Sequence, residues 1–170
     1  MWNNNDKKGF MRNAKSGIGQ INTNALFGNI IKELCLNQTN KTFLEIGTWN
    51  GLGSTKCFID SLSTRNDKYV FYSLECNKDK SNFAKNLYKS HKNIHILNEV
   101  IWNKEPEIFS DVYDKNKMTS FDGGHYTWEN SPDKFNIKKC NVFLDRNDLP
   151  DIWDVILFDG GTQTTYFDYL

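Results

Sequence analysis

The residues with most to offer chemically cluster in FLEIGTWNGLGST, residues 43–55, where an acidic residue and three glycines follow the pattern E-x-G-x-x-x-G-x-G-S-T. Glycine permits positive φ and lets a ligand lie against bare backbone, and the first NH groups of a following helix favour a negative group. Glu45, Gly47, Thr48, Gly51 and Gly53 are therefore candidate ligand-holding positions. Two more carboxylates end apolar runs: Glu75 closes YVFYSLE, and Asp159 lies in WDVILFDGG. Asn98 and Glu99 stand near the end of NIHILNEV. A second FDGG string, in FDGGHY, sets Asp122 near His125, whose imidazole titrates near neutrality and could serve as a base; the same string also reads as a plain turn.

These residues need elements to hold them. Residues 1–22 are polar and glycine-containing and read as an irregular arm, with the domain proper over 23–170. Leu26, Phe27, Ile30, Ile31 and Leu34 recur at helical spacing behind the cap candidates Asn22 and Asn24. TFLEIG is a short apolar run stopped by glycine, the look of a buried parallel strand. A helix is expected over 52–63, a second strand over 69–75, and a third strand over 93–100. Between the last two, residues 79–91 put Phe83, Ala84, Leu87 and Tyr88 on one helical face, with Asn77 or Asp79 as cap. Order weakens over about 101–150, which reads as an insertion with a short helix near Glu105 to Tyr113, turns at Asp-Gly-Gly-His and Ser-Pro-Asp, and a strand at 140–144. Residues 153–161 then supply a fourth buried strand. Strands alternating with helices predict βαβ units and a doubly wound, mainly parallel, Rossmann-like α/β sheet.

Composition narrows the setting. Lys plus Arg and Asp plus Glu number 21 each, so no global field favours nucleic acid or an anionic membrane. Cys35, Cys57, Cys76 and Cys140 are widely spaced, without zinc-finger geometry, and no metal is expected. No leader-like or membrane-length apolar run occurs in the 170 residues, and free thiols in a cytoplasmic setting are the default expectation.

Dinucleotide sites use G-x-G-x-x-G, and Lys56 stands where the third glycine would be needed after Gly51 and Gly53. LEIGTWNGLGST instead resembles the first motif of class I S-adenosylmethionine-dependent methyltransferases, with Glu75 and Asp159 matching the acidic landmarks of that family's second and fourth strands. The resemblance covers residues 43 to 161 and implies S-adenosyl-L-methionine as cofactor. It implies Glu45 and Asp159 near the amino group and sulfonium, Glu75 on both ribose hydroxyls, and Asn98 and Glu99 beside adenine, with Cys76 and Asn77 along the same ring. Catalytic roles would fall to Asp159 and His125, with Trp102, Tyr113, Phe121, Tyr126 and Trp128 as an acceptor lid. Each residue also has a plainer reading: the glycine turn is common in α/β proteins, Glu75 could cap the next helix, Asn98 and Glu99 could be a solvated strand end, and the aromatics could pack the insertion. His91 and His95 read as structural.

The strand-four tail DGGT lacks the [DN]-P-P-[YF] of amino-group DNA methyltransferases, and none of Pro106, Pro132 or Pro150 precedes a cysteine, as the cytosine-C5 type would require. The expected reaction is O-methylation of a sugar or another small acceptor. The alternatives are an NAD-type Rossmann oxidoreductase and a non-catalytic cofactor-binding fragment. The second arises because the family has seven strands and about four are legible here, as though the sheet were truncated after the fourth strand or completed by homo-oligomeric association.

Overall fold

A computed structural model of the chain describes residues 21–104 and 132–160. Its elements run α1 (Leu26–Leu36), β1 (Thr42–Ile46), α2 (Ser54–Leu62), β2 (Val70–Leu74), α3 (Lys78–Leu87), β3 (Ile94–Leu97), β4 (Glu99–Val100), α4 (Pro132–Ile137), β5 (Asn141–Val142), a 3-10 turn (Phe143–Asp145) and β6 (Val155–Phe158). Four strands form a parallel sheet in the order β3-β2-β1-β6, and β4 pairs with β5 as a separate parallel ribbon. This is a Rossmann-like arrangement: the chain winds outward from β1 to β3, then returns to the other side of β1.

Side chains alternate across a strand, so β1 serves two cores. Phe43 joins Ile31, Cys35, Phe58, Phe71, Ala84, Ile94 and Ile96 on the helical side, where the Phe58 and Phe71 rings stack at 4.7 Å. Leu44 and Ile46 face the other way, with Tyr72, Leu74 and the fully buried Phe143. The end of the sheet where β1 begins is pinned by two side chains that the sequence patterns did not single out. Asp154 accepts from the backbone NH groups of Lys41 (2.6 Å) and Thr42 (3.0 Å). Arg65 lies over Phe43 and Tyr69, donates to the carbonyls of Cys35 (2.8 Å) and Asn40 (2.9 Å), and pairs with Asp67.

Several expectations need correction. Neither Asn22 nor Asn24 caps α1; Ala25 holds the cap position and Asn22 turns its side chain to the Asn24 NH. The inward face of α1 is Gly28, Ile31 and Cys35, while Leu26, Phe27, Ile30 and Leu34 are exposed. Gly28 is held against the segment before the helix as well as α2: a Cβ there would sit 2.0 Å from the Asn22 carbonyl oxygen and 3.3 Å from the Cys57 sulfur. Phe83 and Leu87 of α3 are likewise exposed, and Ser81 and Ala84 face inward. Strand 93–100 breaks at Asn98 into β3 and β4, which pair with different partners. The expected strand at 140–144 is two residues of β5, after which the backbone tightens to seat Phe143 in the core. Pro132 and Asp133 begin a helix rather than a turn, consistent with the preference for proline at a first helical position. β6 is only half buried, because β1 is its one strand neighbour among the described residues.

His91 and His95 have structural contacts: the His91 ring nitrogen meets the Ser63 hydroxyl at 3.2 Å, and His95 stacks on Tyr72 at 4.7 Å. Trp102 packs against Val100, Ile137 and Cys140. The four other lid candidates, the expected helix near 105–113 and the FDGGHY string lie outside the described residues. All four cysteines are free, and no described helix is long and apolar enough to cross a membrane.

The packing predicts a steep contrast between two phenylalanines. Phe58→Ala should cost about 3–5 kcal/mol in urea unfolding, against less than about 1 kcal/mol for Phe83→Ala on the exposed face of α3. Comparable losses at both positions would contradict the burial of α3 described above.

Candidate functional site

The strand order reverses between β1 and β6, and in open parallel sheets the crevice for ligands lies at the carboxyl ends of the strands at such a point. The turn after β1 fills that position. Gly47, at φ +108°, donates its NH to the Leu74 carbonyl at 2.9 Å, as does Thr48. A Cβ on Gly47 would sit 2.2 Å from the Asp159 carbonyl oxygen, so only glycine lets the ends of β1 and β6 meet. Gly51, at φ +77°, presses against α3: its Cβ would meet Ala84 at 2.9 Å, and its carbonyl accepts the Tyr88 hydroxyl at 2.6 Å. Gly53 occupies the cap position of α2 and brings no side chain to the first NH groups of that helix.

Three carboxylates converge on this turn, each from a different strand. Glu45 lies within β1 and is entirely buried. Its register partner on β2 is Ser73, whose hydroxyl donates to Oε2 at 2.6 Å, and Thr55 of α2 donates to the same oxygen at 2.6 Å. The other oxygen, Oε1, is buried without a hydrogen-bond partner. Burial pushes the Glu45 carboxyl up to about 7 against the pull of the Ser54, Ser73 and Thr55 hydroxyls, and the like charge of Asp159 adds to the rise. Asp159 follows β6, its NH bonded to the Ile46 carbonyl at 2.8 Å and its Oδ2 accepting the Ser54 hydroxyl at 2.8 Å. Although Asp159 is exposed, the surrounding protein raises its carboxyl and Ser54 opposes the rise.

Glu75 follows β2 and is tethered at both oxygens. Oε2 accepts the Trp49 NH at 2.7 Å and Oε1 the Asn77 NH at 2.8 Å. Desolvation raises its carboxyl, while the Asn77 and Trp49 NH groups and the charge of Lys80 lower it. The cap of α3 is Asn77, whose side chain accepts from the Asp79 and Lys80 NH groups, so Glu75 is left to the turn. The Asn98 amide donates to the carbonyls of Glu75 (2.7 Å) and Cys76 (3.0 Å), bracing the end of β2 where a solvated strand end had been the plainer reading. Glu99 pairs with Arg146 at 3.0 Å. The Thr48 side chain points inward to Ser73, so its outward face is backbone.

The structure thus brings Glu45, Gly47, Thr48, Gly51, Gly53, Glu75, Asn98 and Asp159 to one end of the sheet. His125 lies outside the described residues. Sequence patterns missed Ser54, Thr55 and Ser73 as partners of the carboxylates. The one signal for Ser73 was a small hydroxyl residue among the aromatic and aliphatic residues of YVFYSLE; its place beside Glu45 follows from the strand register. Trp49 and Tyr88 gave no comparable signal. Among the described residues no group of three His, Cys, Asp or Glu side chains is placed to hold a metal.

No protein-family profile and no curated protein matches the chain. Solved structures do. The O-methyltransferase from Bacillus cereus in complex with SAH (S-adenosylhomocysteine) aligns at TM-score 0.39 and 17% identity over 57% of this chain and 44% of that one. A Staphylococcus aureus protein assigned as a caffeoyl-CoA O-methyltransferase aligns at TM-score 0.39 and 21% identity over 67% of this chain and 51% of that one. The chain therefore spans about half the length of each.

The buried Glu45 predicts a pH-dependent stability. In the folded protein the carboxyl keeps its proton to about pH 7, whereas the unfolded chain releases it near 4.5. This contribution is full below 4.5, falls as pH rises through 7, and is flat above. Denaturant titrations at pH 5 and pH 8 should show the wild type losing on the order of 3 kcal/mol relative to Glu45→Gln. Parallel stability profiles for the two proteins would contradict the assignment.

Proposed function

We propose that the crevice at the β1/β6 switch point binds S-adenosyl-L-methionine and that the chain serves methyl transfer from it. The observation that carries this reading is the set of three carboxylates, Glu45, Glu75 and Asp159, arranged around one glycine turn and held by hydroxyl and backbone NH donors. A sulfonium cation with an ammonium group, a ribose and no phosphate asks for such a set. Glu75 offers two adjacent ribose hydroxyls an open lone pair on Oε2 and, on Oε1, one that is met only by the weak Cys76 thiol at 3.7 Å. Asp159 would meet the cationic amino-acid end with the buried Glu45 behind it, Gly47, Thr48, Gly51 and Gly53 would line it with backbone, and Asn98 would steady the adenine side.

Transfer from a sulfonium is an in-line displacement. When bound, the sulfonium would supply an electrophilic methyl group, and the chain's own residues would hold an acceptor hydroxyl opposite the bond from carbon to sulfur and take up its proton. Most of the rate can come from holding the acceptor opposite that bond. Asp159, exposed just after β6, is the described residue proposed to orient a hydroxyl, and His125 is the candidate base. The acceptor class proposed is a sugar or another small hydroxyl compound, and the four free cysteines support a reducing, cytoplasmic setting.

Calorimetry tests the cofactor directly. S-adenosylmethionine and S-adenosylhomocysteine should bind and NAD should not, and Glu75→Ala should weaken binding by about 10-fold to 100-fold, the loss expected for hydrogen bonds to a charged acceptor. Tighter binding of NAD would select the oxidoreductase reading. Cofactor binding without methyl transfer to any hydroxyl acceptor would select a non-catalytic binding role.

A further inference from the structure

Among the described residues Trp49 is the one non-glycine position with positive φ, at +51°. Left-handed backbone is unfavourable for a residue with a Cβ, and a bulky aromatic gains no local hydrogen bond to offset it, as Asn or Asp would. Such a conformation persists where the surroundings over-determine it. Here the surroundings are visible. Gly47 and Thr48 are tied to the Leu74 carbonyl on one side, Gly51 closes back onto the Thr48 carbonyl at 2.9 Å on the other, and Trp49 between them aims its NH at Glu75 Oε2, 2.7 Å away. That NH and the Asn77 NH grip the carboxylate from opposite ends, one from the turn after β1 and one from the start of α3.

We propose that Trp49 is a positioning residue that acts through its backbone: its left-handed conformation delivers the NH that fixes the Glu75 carboxylate for the ribose hydroxyls. The inference rests on the cofactor reading of Glu75. The strain is stored in the turn and opposed by the bond to Glu75, so the orientation of the ribose-binding carboxylate on β2 is set by the conformation of a loop on β1. The indole is not the working part.

A substitution series separates backbone from ring. Trp49→Gly and Trp49→Asn keep access to positive φ and should bind S-adenosylhomocysteine within about threefold of wild type, whereas Trp49→Val, which resists that region, should lose about tenfold or more. In a Glu75→Ala background the Gly and Val variants should differ by less than about threefold, because the interaction they modulate is gone. If Trp49→Gly weakens binding as much as Trp49→Val, the ring itself holds the ligand and the proposal is wrong. A second readout needs no ligand and survives a Val variant that fails to fold. In wild-type protein the Trp49 amide resonance should shift with the protonation of Glu75, and Glu75→Gln should abolish that titration. An amide that ignores Glu75 overturns the clamp. Failure of wild-type protein to bind S-adenosylhomocysteine while the amide still titrates would overturn the cofactor reading and leave the clamp standing.

Discussion

Burying a carboxyl in the central strand of a parallel sheet is costly unless its oxygens find donors, and Glu45 is entirely buried there. The need for donors constrains every element around it. Position 73, beside it on β2, must carry a hydroxyl in an otherwise apolar strand, and α2 must begin with residues that can reach down, which Thr55 does. Ser54, one residue earlier, donates to Asp159 and so ties the same helix to the end of β6. The polar centre of the site and the joint between β1, β2, β6 and α2 are therefore one structure. Oε1, the oxygen left without a partner, is where that structure remains unfinished.

The turn that follows is shaped by two close approaches. Gly47 must let β6 come against it and Gly51 must let α3 come against it, and in both cases a Cβ would overlap atoms of the neighbouring element. With both ends of the turn fixed by glycine, the residues between them have little freedom, which is how Trp49 comes to hold a backbone conformation it would not choose alone. Glycines usually discussed for ligand access are here also the points at which the turn is clamped to its own scaffold.

What the sequence disclosed and what it hid follow from this. The alternation of short apolar runs with helical segments gave the parallel sheet, and the acidic residue at the end of each of two runs marked Glu75 and Asp159, because strand ends and turns follow from local pattern. Lateral facts were hidden. That Ser73 lies beside Glu45, that Arg65 reaches the carbonyls of Cys35 and Asn40, and that Asp154 holds the first NH groups of β1 all depend on strand register and crossover, which no local window contains. The misread faces of α1 and α3 have the same origin. Hydrophobicity pointed to Leu26, Phe27 and Phe83, but the inward faces carry small residues, Gly28 against the Asn22 carbonyl and Ala84 against Gly51.

The three carboxylates are chemically unlike one another, and the difference bears on the ligand. Burial raises all three carboxyls, Glu45 up to about 7, but what opposes it differs: three hydroxyls at Glu45, chiefly an NH on each oxygen at Glu75, and the one Ser54 hydroxyl at Asp159. A dinucleotide would bring a doubly negative pyrophosphate toward Glu45 and Asp159, while the position of Glu75 at the end of β2 suits a ribose in either ligand class. A cationic ligand relieves the same crowding, since a positive group beside Glu45 and Asp159 stabilises both anions at once. On the cofactor reading proposed above, the charge at the Glu45 and Asp159 strand ends therefore agrees with the glycine spacing in favouring a cationic ligand.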